Sequence, residues 1–316
     1  MKFVVFGSPY RRLGLLQDER ILDLALAASG DDSGVFASLS SLIESGSRGL
    51  ELAAALGEKF RSYDQPGLLT DVADAQLHAP FPGKRFAFAG GNNATHVANG
   101  FTNRGKPTTP DEVTAQVRSG RAGGFWVVSE PVGPGAEVPI PRAANGLFDY
   151  EGEVAVILGR TGKRLSAPEW EDRIWGAVLV IDWSIRDATS LGSRLPFYGH
   201  KIFDRSKSLG PWVSVGELDP SDCEVETRVN GEVRQRFSTK DMIHSFGELL
   251  AEMSEDLTLV AGDVLSGGTG PGTAVDATPL DPDGGSSPAL YLKPGDYVEV
   301  SSPGLGSLQA RVVADR

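Results

Sequence analysis

The chain has 316 residues and a formal charge of −12, from 42 acidic and 30 basic side chains. A surface of that sign repels phosphate backbones, which excludes nucleic acid as an expected partner. A lone cysteine, Cys223, leaves neither an intramolecular disulfide nor a cysteine-based zinc site, and no apolar run approaches the ~20 residues of a membrane helix.

An apolar share of 40%, with 14 Phe and 5 Trp, is enough to bury a core, while 39 Gly and 20 Pro favour many short strands over a helical bundle. In chain order, Lys2–Phe6 and residues 20–24 read as two strands joined by a turn. Residues 24–29 and 35–56 carry apolar positions at helical spacing. The polar stretch 62–67, SYDQPG, reads as a boundary. The expected organisation is a small α/β N-terminal domain over 1–75 and a larger domain over 76–316. The apolar stretch in MKFVVFGSPYRR is too short for a signal segment, so a cytoplasmic setting is expected.

Beyond Pro80 strands dominate. Residues 85–89, 125–129, 153–158, 177–181, 224–230, 297–301 and 308–313 have the composition of strands. Two helices interrupt them. One spans 167–175, opened by a capping-box spacing at Ser166 and Glu169. The other spans 240–254, with Met242, Ile243, Phe246, Leu249, Leu250 and Met253 on one apolar stripe. Residues 262–294, rich in Gly, Pro, Asp, Ser and Thr, read as a long loop over the sheet. The class is α+β, mostly β.

The chemistry starts at YEGEVAVILG, residues 150–159. Side chains alternate along a strand, so Glu151 and Glu153 share a face and Gly152 points the other way. Taken alone, such a pair is a strand mouth where both acids reach water. A second apolar strand, VLVI at 178–181, ends at Asp182. Three carboxylates meeting there would bind a hard divalent cation, Mg²⁺ or alternatively Mn²⁺ or Ca²⁺. They would leave open coordination positions for a chelating substrate. The bare face of Gly152 would let a neighbour pack close on the side away from the metal.

Seven segments in order resemble the fumarylacetoacetate hydrolase family: MKFVVFGSPYRRLGLLQDERILDLALA, GKRFAFAGGNNATHVANG, FDYEGEVAVILGR, VIDWSIRDA, GHKIFDRSKSLGPWV, VNGEVRQRFSTKDMIHSF and LVAGDVLSGGTGPG. The resemblance implies a β-roll C-terminal domain beside a small N-terminal one, usually in a homodimer. It implies Glu151, Glu153 and Asp182 as metal ligands, and His96 as general base. Lys201 and Arg186 would meet the substrate, and so would Gly268 and Thr269 of the Gly-rich loop. The implied activity is hydrolytic C–C cleavage of a 2-oxo or β-diketo acid, such as an acylpyruvate in aromatic or sugar acid catabolism. It would pass through a metal-bound enolate, with His96 activating water. The same site could serve a decarboxylase, a hydratase or dehydratase, or an enol–keto isomerase. From another class comes a non-catalytic domain braced by its metal.

Three positions depart from the family pattern. Asn99 stands where many members carry a Glu three residues after the His. An Asn can orient an imidazole but cannot take up a proton, so either another carboxylate substitutes, one source being residues 276–283, or the reaction is not a standard hydrolysis. Ile181 replaces an Asn, and Thr189 a Gln, which speaks against fumarylacetoacetate itself as substrate. The stretch after Gly272 is longer than in compact members and would reshape the pocket.

The remaining candidates are bland. His78, His200 and His244 read as structural, with His200 beside Lys201 the one that could line a pocket. The loop at 267–272 lacks the Gly-Lys-Ser/Thr of a phosphate loop. Ser184 and Ser208 lack a nucleophile elbow. Cys223 has no basic neighbour to activate it.

Overall fold

The computed structural model describes residues 1–61, 67–186, 197–278 and 288–315. The 62–67 boundary segment lies outside these except for Gly67, and so does Thr189.

One large sheet organises the chain. Its order runs Leu69–Asp71, Arg20–Asp23, Arg12–Gln17, Lys2–Phe6, Lys207–Ser214, Ile174–Asp182, Gly152–Leu158, Val264–Ser266, Phe86–Ala89 and Gly124–Val127. Lys2–Phe6 pairs with Lys207–Ser214 through Lys2↔Ser214 and Phe3↔Val213, so the N-terminal strands extend the sheet that carries the candidate acids. A five-stranded sheet, Glu232–Ser238, Glu224–Val229, Tyr297–Ser302, Gly306–Val313 and Ala136–Pro139, packs against it. The α+β, strand-dominated class holds. Among the described residues no helix is long and apolar enough to cross a membrane.

The central strands are buried on both faces, which is why GEVAVIL and AVLVI read as unbroken apolar runs. Ala155, Ile157, Val178 and Val180 join Phe3, Leu15 and the Leu39–Glu44 helix in one core. Val154, Leu179 and Ile181 face the second sheet and meet Val225, Val298 and Val300. The acids follow this alternation. Glu151, Glu153 and Asp182 share the parity of the first face, and Gly152 that of the second.

Several expected elements differ in extent. The 167–175 helix is a 3₁₀ turn at Ala167–Glu169 plus Trp170–Arg173. Its capping box is present, but Trp175 is already in a strand, packed on Phe3 at 5.4 Å between ring centroids. The 240–254 helix begins only at Phe246. Ser245 and Glu248 form a capping box there, and Met242 is extended. The Asn92 side chain holds the intervening His244 backbone, accepting from its N–H at 2.8 Å and donating to its carbonyl at 2.9 Å. Within the 262–294 loop, Val264–Ser266 is a strand, parallel to Phe86–Ala89. Arg12–Gln17 is a further strand, where the sequence predicts a turn. Gly14 hides its alternation, and a Cβ there would lie 2.2 Å from Ile21.

Candidate metal centre and active site

Gly152–Leu158 and Ile174–Asp182 are antiparallel neighbours with Gly152 opposite Ile181, and the Asp182 N–H donates to the Glu151 carbonyl at 2.8 Å. This register puts the start of one strand beside the end of the other. One ligand atom from each of Glu151, Glu153 and Asp182 then lies within 4.8 Å of the others, with all three side chains buried. Gly152 sits between them for a steric reason. A Cβ there would stand 2.2 Å from Thr227 Oγ1 and 3.1 Å from both Val300 methyls.

Cations surround the triad. Lys201 Nζ lies 2.5 Å from Glu151 Oε2, 2.9 Å from Asp182 Oδ2 and 2.6 Å from Ser184 Oγ. Arg186 donates through Nη2 to Glu151 Oε1 and through Nε to Asp149 Oδ2 at 3.0 Å. Lys207, fully buried, places Nζ 2.7 Å from Asp182 Oδ1. That contact has ion-pair distance but not hydrogen-bond alignment, so Oδ1 accepts no aligned hydrogen bond.

The electrostatics are uneven. Burial alone would raise the Glu151 pKa, but Lys201, Arg186 and His96 outweigh it and hold this carboxyl far below the usual range. Glu153 goes the other way. Burial, then the charges of Asp182 and Glu151, push it well up. Burial works against a charged Lys201, yet Asp182 and Glu151 outweigh it and raise its pKa. The donor set of three hard oxygens, with Glu153 lacking a cation of its own among the described residues, fits a divalent ion.

His96 lies on the Ala94–Thr102 helix, capped by Asn93, whose Oδ1 accepts from the His96 N–H at 3.1 Å. Its Nε2 is 4.0 Å from Glu151 Oε1, and its Nδ1 is 2.9 Å from Asp276 Oδ2. A carboxylate from the 276–283 stretch thus stands where Asn99 left a gap; residues 279–283 lie outside the described ones. Asp276 is fixed in turn by the Gly272 N–H, at 2.9 and 3.1 Å to its two oxygens. Asp149, buried, ties Arg186 to the same loop by accepting from the N–H groups of Ala274 (2.7 Å) and Val275 (3.1 Å).

The Gly-rich loop packs against the acid-bearing strand. Gly268 adopts φ +88°, with a Cβ position 3.3 Å from the Ala89 carbonyl. Thr269 Oγ1 donates to the Gly152 carbonyl at 2.9 Å and accepts from Gln235 Nε2 at 2.8 Å, so its hydroxyl already braces the acid-bearing strand. His200 Nδ1 is 2.9 Å from the Ile185 carbonyl, and His78 Nε2 is 2.7 Å from that of Gly7. Ser208 accepts from the Trp183 indole at 2.9 Å.

The family model for the fumarylacetoacetate (FAA) hydrolase C-terminal domain matches residues 89–313. The chain belongs to the fumarylacetoacetate hydrolase family. Among relatives of this family, the oxaloacetate tautomerase YisK of Bacillus subtilis is 30% identical over 326 residues, covering 99% of this chain and 100% of its own. A fumarylacetoacetate hydrolase from psychrophilic Exiguobacterium antarcticum matches in structure with a TM-score of 0.71 at 29% identity, over 100% of both chains. The maleylpyruvate hydrolase of Sphingobium sp. SYK-6, solved with manganese(II) and pyruvate, shares the fold at a TM-score of 0.72 and 20% identity, again over 100% of both chains.

Sequence reasoning did not assign Asp149, Ser184, Lys207 or Ser266 to this hydrolase-family site. Asp149 was open to it, since D-x-E-x-E extends the period-2 acid pattern by one step. The others depend on pairing between distant strands.

Proposed function

We propose that the protein is a divalent-metal-dependent enol–keto tautomerase of a 2-oxo dicarboxylic acid of the oxaloacetate class. The observation that carries this reading is the full-length relationship to an oxaloacetate tautomerase, and a base set beside an acidic triad supports it. Glu151, Glu153 and Asp182 would hold Mg²⁺ or Mn²⁺. Bound there, the ion supplies electron withdrawal from a 2-oxo group, which acidifies the C3–H bonds.

The rest is done by side chains. With Nδ1–H donated to Asp276, His96 keeps a lone pair on Nε2, the nitrogen that faces Glu151. It takes a proton from C3 of the keto form and, once protonated, gives one from Nε2 to the 2-oxygen, giving the enol; the reverse transfer restores the ketone. No other bond is broken, so the proton balance closes. Asp276 fixes the imidazole and offsets its charge when Nε2 is protonated. Lys201 and Arg186 offer positive charge to substrate carboxylates. The homodimer, the cytoplasmic setting and a place in acid catabolism belong to the same proposal.

A second reading is hydrolytic C–C cleavage of an acylpyruvate, with His96 taking its proton from water. The Asp276 carboxylate favours it, because it supplies the partner that Asn99 cannot.

Following the ultraviolet absorbance of enol-oxaloacetate separates the two. The expected result is decay faster than in buffer, lost with a chelator and restored by Mg²⁺ or Mn²⁺. His96→Ala should abolish it while metal affinity, measured calorimetrically, is kept. Decay at the buffer rate together with cleavage of acetylpyruvate into two acids would replace the tautomerase reading by the hydrolase one.

A further inference from the structure

Each acid of the triad has one oxygen claimed by a neighbour. Glu153 Oε2 accepts from the buried Ser266 hydroxyl. Glu151 Oε1 accepts from Arg186. Asp182 Oδ1 faces Lys207 at 2.7 Å. This leaves Glu153 Oε1, Glu151 Oε2 and Asp182 Oδ2, and the last two are reached by Lys201.

The two lysines differ in freedom. Lys201 follows a short 3₁₀ turn, Phe197–His200, and is partly exposed. Lys207 sits in the Lys207–Ser214 strand, paired with Asp182 itself, and is 0% exposed. Its Nζ also donates to the Lys201 carbonyl at 2.6 Å and the Ser206 carbonyl at 3.0 Å, and lies 5.2 and 6.0 Å from the Phe88 and Phe203 ring centroids. A cation entering the triad competes with Lys201 for Oδ2, while Lys207 keeps Oδ1.

We infer that Lys207, with Ser266, sets the metal preference of the site by restricting Asp182 and Glu153 to one donor oxygen each. Three single oxygens suit a small six-coordinate ion, whereas Ca²⁺ takes 6–8 oxygens and readily uses both of a carboxylate. The device therefore favours Mg²⁺ and Mn²⁺ over Ca²⁺. It rests on the reading that the triad holds a divalent cation.

The test is calorimetric titration of the full-length protein with Mn²⁺ and Ca²⁺, with competition followed by Mn²⁺ paramagnetic resonance. Wild type should prefer Mn²⁺ by about tenfold or more. Lys207→Met fills the space between Phe88 and Phe203 without a charge and should narrow that ratio by about tenfold, mainly by gaining Ca²⁺ affinity. Ser266→Ala frees Glu153 Oε2 and leaves the Lys207–Asp182 contact in place. It should shift the ratio the same way, and it serves if Lys207→Met does not fold. A wild type that prefers Ca²⁺, an unchanged ratio in a folded variant, or equal loss of both metals overturns the inference and leaves the function reading standing. A wild type that binds neither ion overturns both.

Discussion

Replacing Gly152 by Ala tests how closely the second sheet supports the acid-bearing strand. The added Cβ would sit 2.2 Å from Thr227 Oγ1 and 3.1 Å from two Val300 methyls. Ordinary contact needs about 3.4 Å or more, so one neighbour must give by about 1 Å and the other by a few tenths. Both are fully buried β-branched residues in adjacent strands, with little rotamer freedom to yield. Overpacking of this kind costs about 1–3 kcal/mol. In a chain of this size that lowers the melting temperature by about 2–4 °C per kcal/mol. The movement displaces the backbone between Glu151 and Glu153, so Mn²⁺ affinity should fall as well. Thr227→Ala removes the closest atom, and its hydroxyl has no hydrogen-bond partner to lose. The double variant should therefore recover more than half of the melting temperature lost by Gly152→Ala, measured by calorimetry. If Gly152→Ala melts like wild type, or if Thr227→Ala adds its own loss instead of relieving the first, the proposed contact is not what excludes a side chain there.

Three further outcomes are expected. Asp276→Asn keeps the size of the side chain but removes the anion beside His96. It should lower kcat on the true substrate by about 10²–10⁴-fold with metal affinity near wild type, and steady-state kinetics with titration calorimetry check both. The Cys223 thiol is pushed up to about 11 by burial first and then by Asp219 and Asp222. It should ignore a disulfide exchange reagent at pH 8 until the protein is unfolded. The folded state keeps this proton longer than the unfolded chain does. Its stability relative to Cys223→Ala should therefore fall as pH rises between about 9 and 11, read from paired melting curves.

The three acids were legible because Asp182 ends a second apolar strand and the segments around all three resemble the family's; the period-2 pair alone reads as a solvated strand mouth. Their convergence was not, since it depends on Gly152 standing opposite Ile181, a register that no local pattern states. Lys207 lies in RSKSLG, which locally reads as a solvated turn. Only pairing with Asp182 on one side and Phe88 and Phe203 overhead makes it a core residue. The Ala94–Thr102 helix escaped because ATHVANGFT mixes weak helix formers, and what starts it is a single Asn cap. The missing partner of His96 could be narrowed to a stretch of chain, but Asp276 is set by the loop's own bonds to Gly272 and Asp149.

The two acid-bearing strands are consecutive and antiparallel, so their acidic ends meet while their connection, residues 159–173, lies at the opposite end. Seven residues of strand put roughly 20 Å between that turn and the acids. Residues 160–163 there are mostly exposed. A peptide spliced in at that turn would be a handle for tethering the protein to a solid support with its acidic end turned outward to the solution.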